Sequence, residues 1–300
     1  MRYICYISAP AYNIENKQNH VHILVTGKAS ERLLLITGGK MKQAVFFDID
    51  GTMWDHTNFI PQSTIEGIHK LRKNGVHAFL CTGRSRAYVK NPELLNIGFD
   101  GIISGCGTMI EYHNEVVFYK KLDQDLIQNT VTFLKEHHAA VIMEGRFQLY
   151  VDPEDFVDDP FIVRLRKELG SSLLPLTGSE ADWEVSKFSC SVEDADMEVL
   201  TRRLSADFDL LVHDISVMEL VPKGCSKGTG ILKICELLDI PVANTYAFGD
   251  SANDLPMFEV AGHSIAMGNA SAVAKQKASY VTDDLHEDGI YHALEHFGLV

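Results

Sequence analysis

Nothing in this 300-residue chain approaches the roughly 18 consecutive apolar residues that a membrane-spanning helix needs, so no span is expected. Basic residues are scarce. Lys and Arg number 27 against 41 Asp and Glu, a net charge of −14 at pH 7 with His neutral. A protein that coats nucleic acid needs clustered Lys and Arg to displace phosphate counterions, and the charge balance argues against that role. There is no C-x-x-C pair among the six cysteines, Cys5, Cys81, Cys106, Cys190, Cys225 and Cys235. All but Cys5 and Cys106 sit in apolar or strand-like surroundings. That is the pattern of buried thiols in a reducing cytosol, so a cytoplasmic protein without a disulfide framework is expected. The thirteen histidines lack ligand spacing, and His137-His138 closes a helical pattern as a solvated end, so no zinc site is expected. Tandem repeats and low-complexity segments are also missing.

The composition is that of an ordinary globular chain. Hydrophobic residues make up 46% and charged residues 23%, close to average usage. At about 100–200 residues per domain, the length suits two domains. Residues 1–40 differ from the rest of the chain. Met1–Ala9 is mildly apolar, with Arg2 its only basic residue and no small-residue cleavage site after it, so a secretory signal is not expected. Asn13–His20 is mostly polar, and the short run Leu33–Ile36 precedes Gly38-Gly39-Lys40. A purine-rich stretch resembling a bacterial ribosome-binding site can encode those three residues. The expectation is that Met41 is the native start and residues 1–40 a misassigned upstream reading, against the alternative of a loosely packed extension. N-terminal mass spectrometry of protein from its natural host separates the two.

From Met41 the pattern alternates strand and helix. Ala44–Phe47 is a continuous apolar run, as in a strand buried on both faces of a parallel sheet. A helix is predicted over Ser63–Asn74, with Ser63 and Glu66 as a capping box and Asn74-Gly75 as the stop. Strands are predicted at Val76–Cys81 and Gly101–Ser104. The same grammar returns late in the chain: a helix capped by Ser226 and running to Leu238, a strand at Thr245–Phe248, a helix through Val260, and strands at Ser264–Met267 and Tyr280-Val281. This alternation predicts a doubly wound parallel α/β sheet of Rossmann-like kind.

The middle reads otherwise. Helices are predicted at Asp123–His138, Pro160–Leu169 and Met197–Leu204. Strands are predicted at Val141–Glu144, Phe147–Val151, Lys187–Val192, Asp209–His213 and Ser216–Val221, the first two forming a hairpin around Gly145-Arg146. Helix-strand-strand units of alternating polarity imply an antiparallel sheet with helices on one face. The predicted organisation is a core of residues 41–122 and 223–300, with an α+β cap domain inserted at 123–222.

Chemistry collects where strands end. Asp48-Ile49-Asp50-Gly51-Thr52 follows the first buried strand directly, placing two carboxylates where open α/β sheets bind ligands. An ordinary Asp/Gly turn is the weaker reading, tolerable for this motif alone. The second strand ends in Cys81-Thr82-Gly83-Arg84, and Lys227 opens a helix after a Gly-containing loop. Gly249-Asp250-Ser251-Ala252-Asn253-Asp254 closes another buried strand; its bland reading is a helix N-cap. Capping does not explain four element ends delivering Asp/Asp, Thr, Lys and Asp/Asp to one edge. Carboxylates crowded together raise one another's pKa values, and a divalent cation held by oxygen ligands resolves the repulsion as Mg²⁺ does. The constellation suits a phosphoryl group.

Asp48-x-Asp50-Gly51-Thr52, Thr82-Gly83-Arg84, Lys227 and Gly249-Asp250-x-x-Asn253-Asp254 together resemble the four motifs of the haloacid dehalogenase superfamily. Their order and spacing, and the insertion between Thr82 and Lys227, are similar to its Cof-type (subfamily IIB) phosphatases from about Met41 onward. The resemblance implies that Asp48 is the nucleophile, forming an aspartyl-phosphate. It makes Asp50 the acid that protonates the leaving alkoxide and the base that then activates water. Thr82 and Lys227 would hold the phosphoryl oxygens, with Gly83, Arg84 and Asn253 also at the substrate. Mg²⁺ would be bound by Asp48, the Asp50 carbonyl and Asp250, with Asp254 acting directly or through water. Relatives that dehalogenate lack a carboxylate at the Asp50 position, whereas phosphatases and phosphomutases keep it.

Two departures stand out. Ser104-Gly105-Cys106-Gly107-Thr108 replaces the usual Ser-Asn-Gly-Ala, and Trp54 stands where Leu is commoner; both bear on substrate more than on reaction. Specificity is expected from the cap, with Glu144 and Arg146 at the hairpin tip as candidates for a hydroxylated leaving group, or else a solvated turn. The expected function is Mg²⁺-dependent hydrolysis of a small phosphate monoester, a sugar phosphate or a phosphorylated cofactor. The alternatives are a phosphomutase and a non-catalytic phosphate-ester-binding regulator. No nucleic acid or membrane partner is expected, and the sequence does not speak to oligomeric state.

Overall fold

A computed structural model of the chain describes residues 14–17, 20–23, 42–156, 159–178, 183–213 and 216–300. The chain divides into two compact units, residues 1–41 and 42–300. In the first, β1 (Ile14–Lys17) pairs antiparallel with β2 (His20–Ile23), Ile14 opposite Ile23. Cys5, Leu33–Ile36, Gly38-Gly39-Lys40 and Met41 lie outside the described residues.

The second unit contains two sheets. The larger uses β3 (Ala44–Phe47), β4 (His77–Cys81), β5 (Gly101–Ser104), β6 (Met109–Tyr112) and β7 (Glu115–Tyr119). Between these and the late core strands comes the smaller sheet, built from β8 (Ala140–Glu144), β9 (Leu149–Val151), β10 (Leu173–Leu174), β11 (Lys187–Ser191), β12 (Phe208–Val212) and β13 (Val217–Pro222). The larger sheet is completed by β14 (Thr245–Gly249), β15 (His263–Ala266) and β16 (Tyr280–Val281), in the order β16-β15-β14-β3-β4-β5-β6-β7. Its pairings are parallel from β16 to β5 and antiparallel through β6 and β7.

All four residues of β3 are buried, as its unbroken apolar run requires of a central strand. Phe46 stacks on Phe79 at 5.2 Å between ring centroids and Phe47 on Phe248 at 5.1 Å, so β3 is fixed against both neighbours by aromatic contact as well as by the ladder. Helix α1 (Gln62–Lys73) buries Ile68 and Leu71 and stops at Asn74, as predicted. Its predicted capping box is absent. Pro61 is the N-cap, and the Ser63 hydroxyl instead bonds Asp288, whose distance in sequence hid the competition. Short α2 (Pro92–Leu95) follows β4.

In the smaller sheet the order is β10-β9-β8-β11-β13-β12, antiparallel apart from the β9–β10 pair. Helices α3 (Gln124–Glu136) and α5 (Met197–Leu204) pack Ile127, Leu134 and Leu200 against Val141, Met143, Phe188 and Leu220 on one face. The expectation that all helices lie on that face is corrected by α4 (Pro160–Leu169). Its Ile162 and Leu165 pack with Ile142, Leu149 and Val151, residues of opposite parity and therefore of the other face. Strands β6, β7 and β10 were not anticipated from the sequence. The remaining helices belong to the larger sheet: α6 (Lys227–Leu238), α7 (Leu255–Val260), α8 (Ala272–Lys277) and α9 (Gly289–His296). Among the described residues no helix is long and apolar enough to cross a membrane.

Candidate active site

The C-terminal ends of β3, β4 and β14 lie side by side, because β3 pairs with both of the others. Asp48 leaves β3 with its amide still bonded to the Phe248 carbonyl at 2.9 Å, which holds it against β14. Asp250 and Asp254 follow β14. Lys227 is the first residue of α6, whose N-cap Ser226 accepts from the Thr229 amide while Thr229 bonds back to the Ser226 amide. That reciprocal cap aims Lys227 inward, where it is 1% exposed.

Lys227 Nζ donates to Asp48 Oδ1 and to Asp254 Oδ1, both at 2.6 Å, and to Asn253 Oδ1 at 3.3 Å. The other Asp254 oxygen accepts from the amides of Asp250 (2.8 Å) and Ser251 (3.0 Å). Asp254 thus ties Lys227 to the loop after β14. Oxygens of Asp48, Asp250 and Asp254 all lie within 4.8 Å of one another. Gly51 has φ +77°, and a side chain there would run into Asp250, with its Cβ 2.7 Å from the carboxyl carbon. Only glycine combines that backbone with that proximity.

Electrostatics follow from the crowding. Burial drives the Asp48 carboxyl well above its ordinary pKa; Lys227 opposes the shift, while Asp254, Asp250 and Asp50 reinforce it. Asp250, also desolvated and facing Asp254, is pushed up to about 7. Burial works to neutralise Lys227, yet Asp254 and Asp48 win and raise its pKa. With all three ionised, three carboxylates would face one ammonium and two negative charges would have no partner, a repulsion that adds to burial in pushing up the carboxyls of Asp48 and Asp250.

Asp50 is in a different state. Arg84 grips it through two bonds, Nε to Oδ2 at 2.7 Å and Nη2 to Oδ1 at 2.6 Å, and Trp54 Nε1 donates to Oδ1 at 2.9 Å. Burial raises its pKa, but the Arg84 bonds and charge overcome that and hold it below the usual range. The Arg84 guanidinium lies over Tyr88 (4.2 Å to the ring centroid) and Trp54 (5.2 Å). Trp54 is 3% exposed, so it both packs and positions. Thr82 is buried, its amide bonded to Ile103 and its hydroxyl accepting from the Arg84 amide.

Every residue singled out from the motifs is thus gathered at this edge. A cavity of about 600 Å³ opens there, lined by Asp48, Asp50, Thr82, Gly83, Arg84, Asp250 and Asn253 from the larger sheet. The smaller sheet supplies Glu144, Lys187, Ser189 and Glu219. Lys187 and Glu219 were missed because a lone Lys or Glu on an alternating strand reads as solvated. Lys187 is 1% exposed, pairs with Glu219 and with Glu144 (3.3 Å), and donates to the Gly83 carbonyl at 3.0 Å. His213 bonds Glu219 at 2.9 Å. Glu144 is buried at the end of β8 rather than displayed on the turn, while Arg146 lies over Phe147 and does not line this cavity. Cys106, whose neighbours in sequence are not apolar, is nonetheless 1% exposed; the described cysteines are all free and buried.

A sequence profile described as haloacid dehalogenase-like hydrolase matches residues 45–294. YkrA of Bacillus subtilis (strain 168), which carries a provisional phosphatase name, is 34% identical over 263 residues, 85% of this chain and 98% of its own. The HMP-PP phosphatase of Yersinia pseudotuberculosis serotype O:1b is 27% identical over 271 residues, covering 86% of this chain and 96% of its own. Among solved structures, the HAD subclass IIB sugar phosphatase BT4131 superposes with a TM-score of 0.72 at 28% identity, covering 86% of this chain and all of the other. The chain belongs to the haloacid dehalogenase-like hydrolase family, among its subclass IIB phosphatases.

Proposed function

We propose that the protein hydrolyses a small phosphate monoester through an aspartyl-phosphate formed on Asp48, with Mg²⁺ as its cation. The observation that carries this reading is the convergence of Asp48, Asp250 and Asp254 on one buried Lys227. A divalent cation fits the donor set, which is all oxygen, and matches the two charges left uncompensated with all three carboxylates ionised. Asp48 and Asp250 would hold it, with the Asp50 carbonyl as a third oxygen and Asp254 in support. When bound, it would neutralise charge between an anionic nucleophile and an anionic ester.

The chain's own groups perform the rest. Lys227 fixes the orientation of Asp48, leaving its second oxygen to attack phosphorus. Thr82 and the amides of its Gly83-containing loop receive the non-bridging oxygens. Asp50 gives a proton to the leaving oxygen and takes one from the water that cleaves the acyl-phosphate. Its grip by Arg84 favours the ionised form, so Arg84 must loosen when Asp50 acts as an acid. Residues 123–222 form a cap whose polar face closes the cavity and excludes water.

The relatives' names support a phosphorylated metabolite as substrate. One acts on 5-amino-6-(5-phospho-D-ribitylamino)uracil, one is an HMP-PP phosphatase and one is a sugar phosphatase. A cytoplasmic setting suits the free thiols. The test is hydrolysis of p-nitrophenyl phosphate with Mg²⁺: turnover should stop with EDTA, and Asp48→Asn should remove nearly all of it. Undiminished turnover in that variant would overturn the assignment. Release of inorganic phosphate, rather than its return to product, separates this reading from a phosphomutase.

A further inference from the structure

The loop that carries Thr82 is gripped from the other sheet. Lys187 Nζ donates to the Gly83 carbonyl at 3.0 Å, and one Glu144 oxygen accepts from the Ser85 amide at 3.3 Å. Both side chains come from the smaller sheet, where Lys187 stands directly opposite Glu144 in the β11–β8 ladder. Glu219 of β13 also pairs with Lys187, and Ser189 bonds the other Glu144 oxygen at 2.5 Å.

Within the loop, the Thr82 amide bonds the Ile103 carbonyl at 2.8 Å and the Arg84 amide bonds the Thr82 hydroxyl oxygen at 3.1 Å. Among the described residues this leaves the Gly83 amide and the Thr82 hydroxyl as donors to a phosphoryl oxygen in the cavity that both residues line. The Gly83–Arg84 peptide sets the aim of that hydroxyl. Lys187 fixes the carbonyl, so the planar peptide points its N–H the opposite way, at the Thr82 oxygen. With one lone pair taken, the hydroxyl turns its own hydrogen away from Arg84 and makes it available to the cavity. Glycine at 83 does little to restrain the peptide by itself, so the hold has to come from outside the loop.

Electrostatic stability does not account for Lys187. It is 1% exposed, with Glu144 buried and Glu219 nearly so. Apolar side chains of similar volume often fill such a place with no loss of stability. What they could not do is hold a carbonyl.

Resting on the phosphatase reading, we propose that Lys187 is a positioning residue for phosphoryl transfer, holding the Gly83–Arg84 peptide so that the Thr82 hydroxyl faces the phosphoryl oxygens. The smaller sheet thereby completes a phosphoryl-binding loop that belongs to the larger one.

The test is a double-mutant cycle on the full chain, read as kcat/KM for p-nitrophenyl phosphate with Mg²⁺. Lys187→Met and Thr82→Val should each lower it at least tenfold, the cost of a hydrogen bond to a charged group. Because both remove the same contact, Lys187→Met should cost less than about threefold once Thr82 is Val. The inhibition constant of inorganic phosphate should rise at least fivefold in Lys187→Met, and KM with it. Losses that multiply, or a loss confined to kcat as a smaller folded fraction would give, would overturn this inference. Should Lys187→Met strand its carboxylates and fail to fold, the same cycle is run in a Glu219→Gln background, where one of those charges is gone. Turnover by the parent protein reports on the phosphatase reading separately. A parent that hydrolyses the ester while the losses multiply leaves that reading standing, and a parent without turnover brings down both.

Discussion

Lys227 is enclosed by Asp48 and Asp254 at 2.6 Å each, with almost no exposure to water. A buried ion pair contributes little beyond its desolvation cost while intact, but removing one partner strands the others. Lys227→Met leaves two buried carboxylates facing each other and should destabilise by about 3–5 kcal/mol. For a protein of this size that is a drop in Tm of roughly ten degrees, measurable by calorimetry. Asp50 makes a different prediction. In the proposed mechanism it acts on the leaving oxygen, so Asp50→Asn should slow alkyl phosphates at least tenfold more than p-nitrophenyl phosphate, whose leaving group needs no proton. Equal losses on both would reject its acid role. At Gly51, alanine would combine a strained backbone with a clash against Asp250. Gly51→Ala should weaken Mg²⁺ activation at least tenfold, read from a magnesium titration of turnover.

At the scale of elements, β11 and β13 hold the smaller sheet to the site through Lys187 and Glu219. Burial alone would raise the pKa of Glu219, yet the Lys187 charge and the bonds from His213 and Lys187 bring it down to about 2. A carboxyl depressed on folding stabilises the native state above its unfolded pKa and loses that contribution as pH falls through the folded value. Glu219→Gln should therefore unfold at lower urea than the parent at pH 7. The gap should narrow between roughly pH 4.5 and 2, the range between the unfolded and folded values. A gap that stayed constant would show that Glu219 is not a charged partner of Lys187.

How far such elements were legible depended on whether their partners are local. Strands β3, β5 and β16 and helices α4 and α5 follow from apolar runs and nearby stops. Three of the four motifs follow from polar residues placed directly after strands, and Lys227 from the start of a capped helix. Ser63 was misread because its partner, Asp288, is 225 residues away. Lys187 and Glu219 were missed for the same reason: a β11 lysine reads as a solvated position until β8, β13 and the Gly83 loop close around it. The side taken by α4 depends on which parity of β8 and β9 it covers, which helical periodicity does not specify.

For the molecule as a whole, the two negative charges left unmatched with all three carboxylates ionised predict a link between cation and fold. Mg²⁺ at a hundred times its dissociation constant should stabilise by about 2.7 kcal/mol if only the native state binds it. Scanning fluorimetry should show Tm rising by several degrees with Mg²⁺ and returning with EDTA, and Asp250→Asn should blunt the rise. No shift in the parent protein would count against the site as a cation holder.

The bond between Lys227 and Asp48 spans 179 positions, and every oxygen brought in by the β14 loop comes later still. During synthesis, Asp48 emerges from the ribosome long before Lys227, whereas Asp50 meets Arg84 only 34 positions on. A nascent chain stopped short of β14 would present β3 with one lateral edge unpaired and would lack Asp250 and Asp254, a poor template for early collapse. Non-local closure of this kind is slow. Enzymatic competence should therefore arrive abruptly and at the end of translation, and ribosome-stalled chains lacking the last sixty or so residues should be inert.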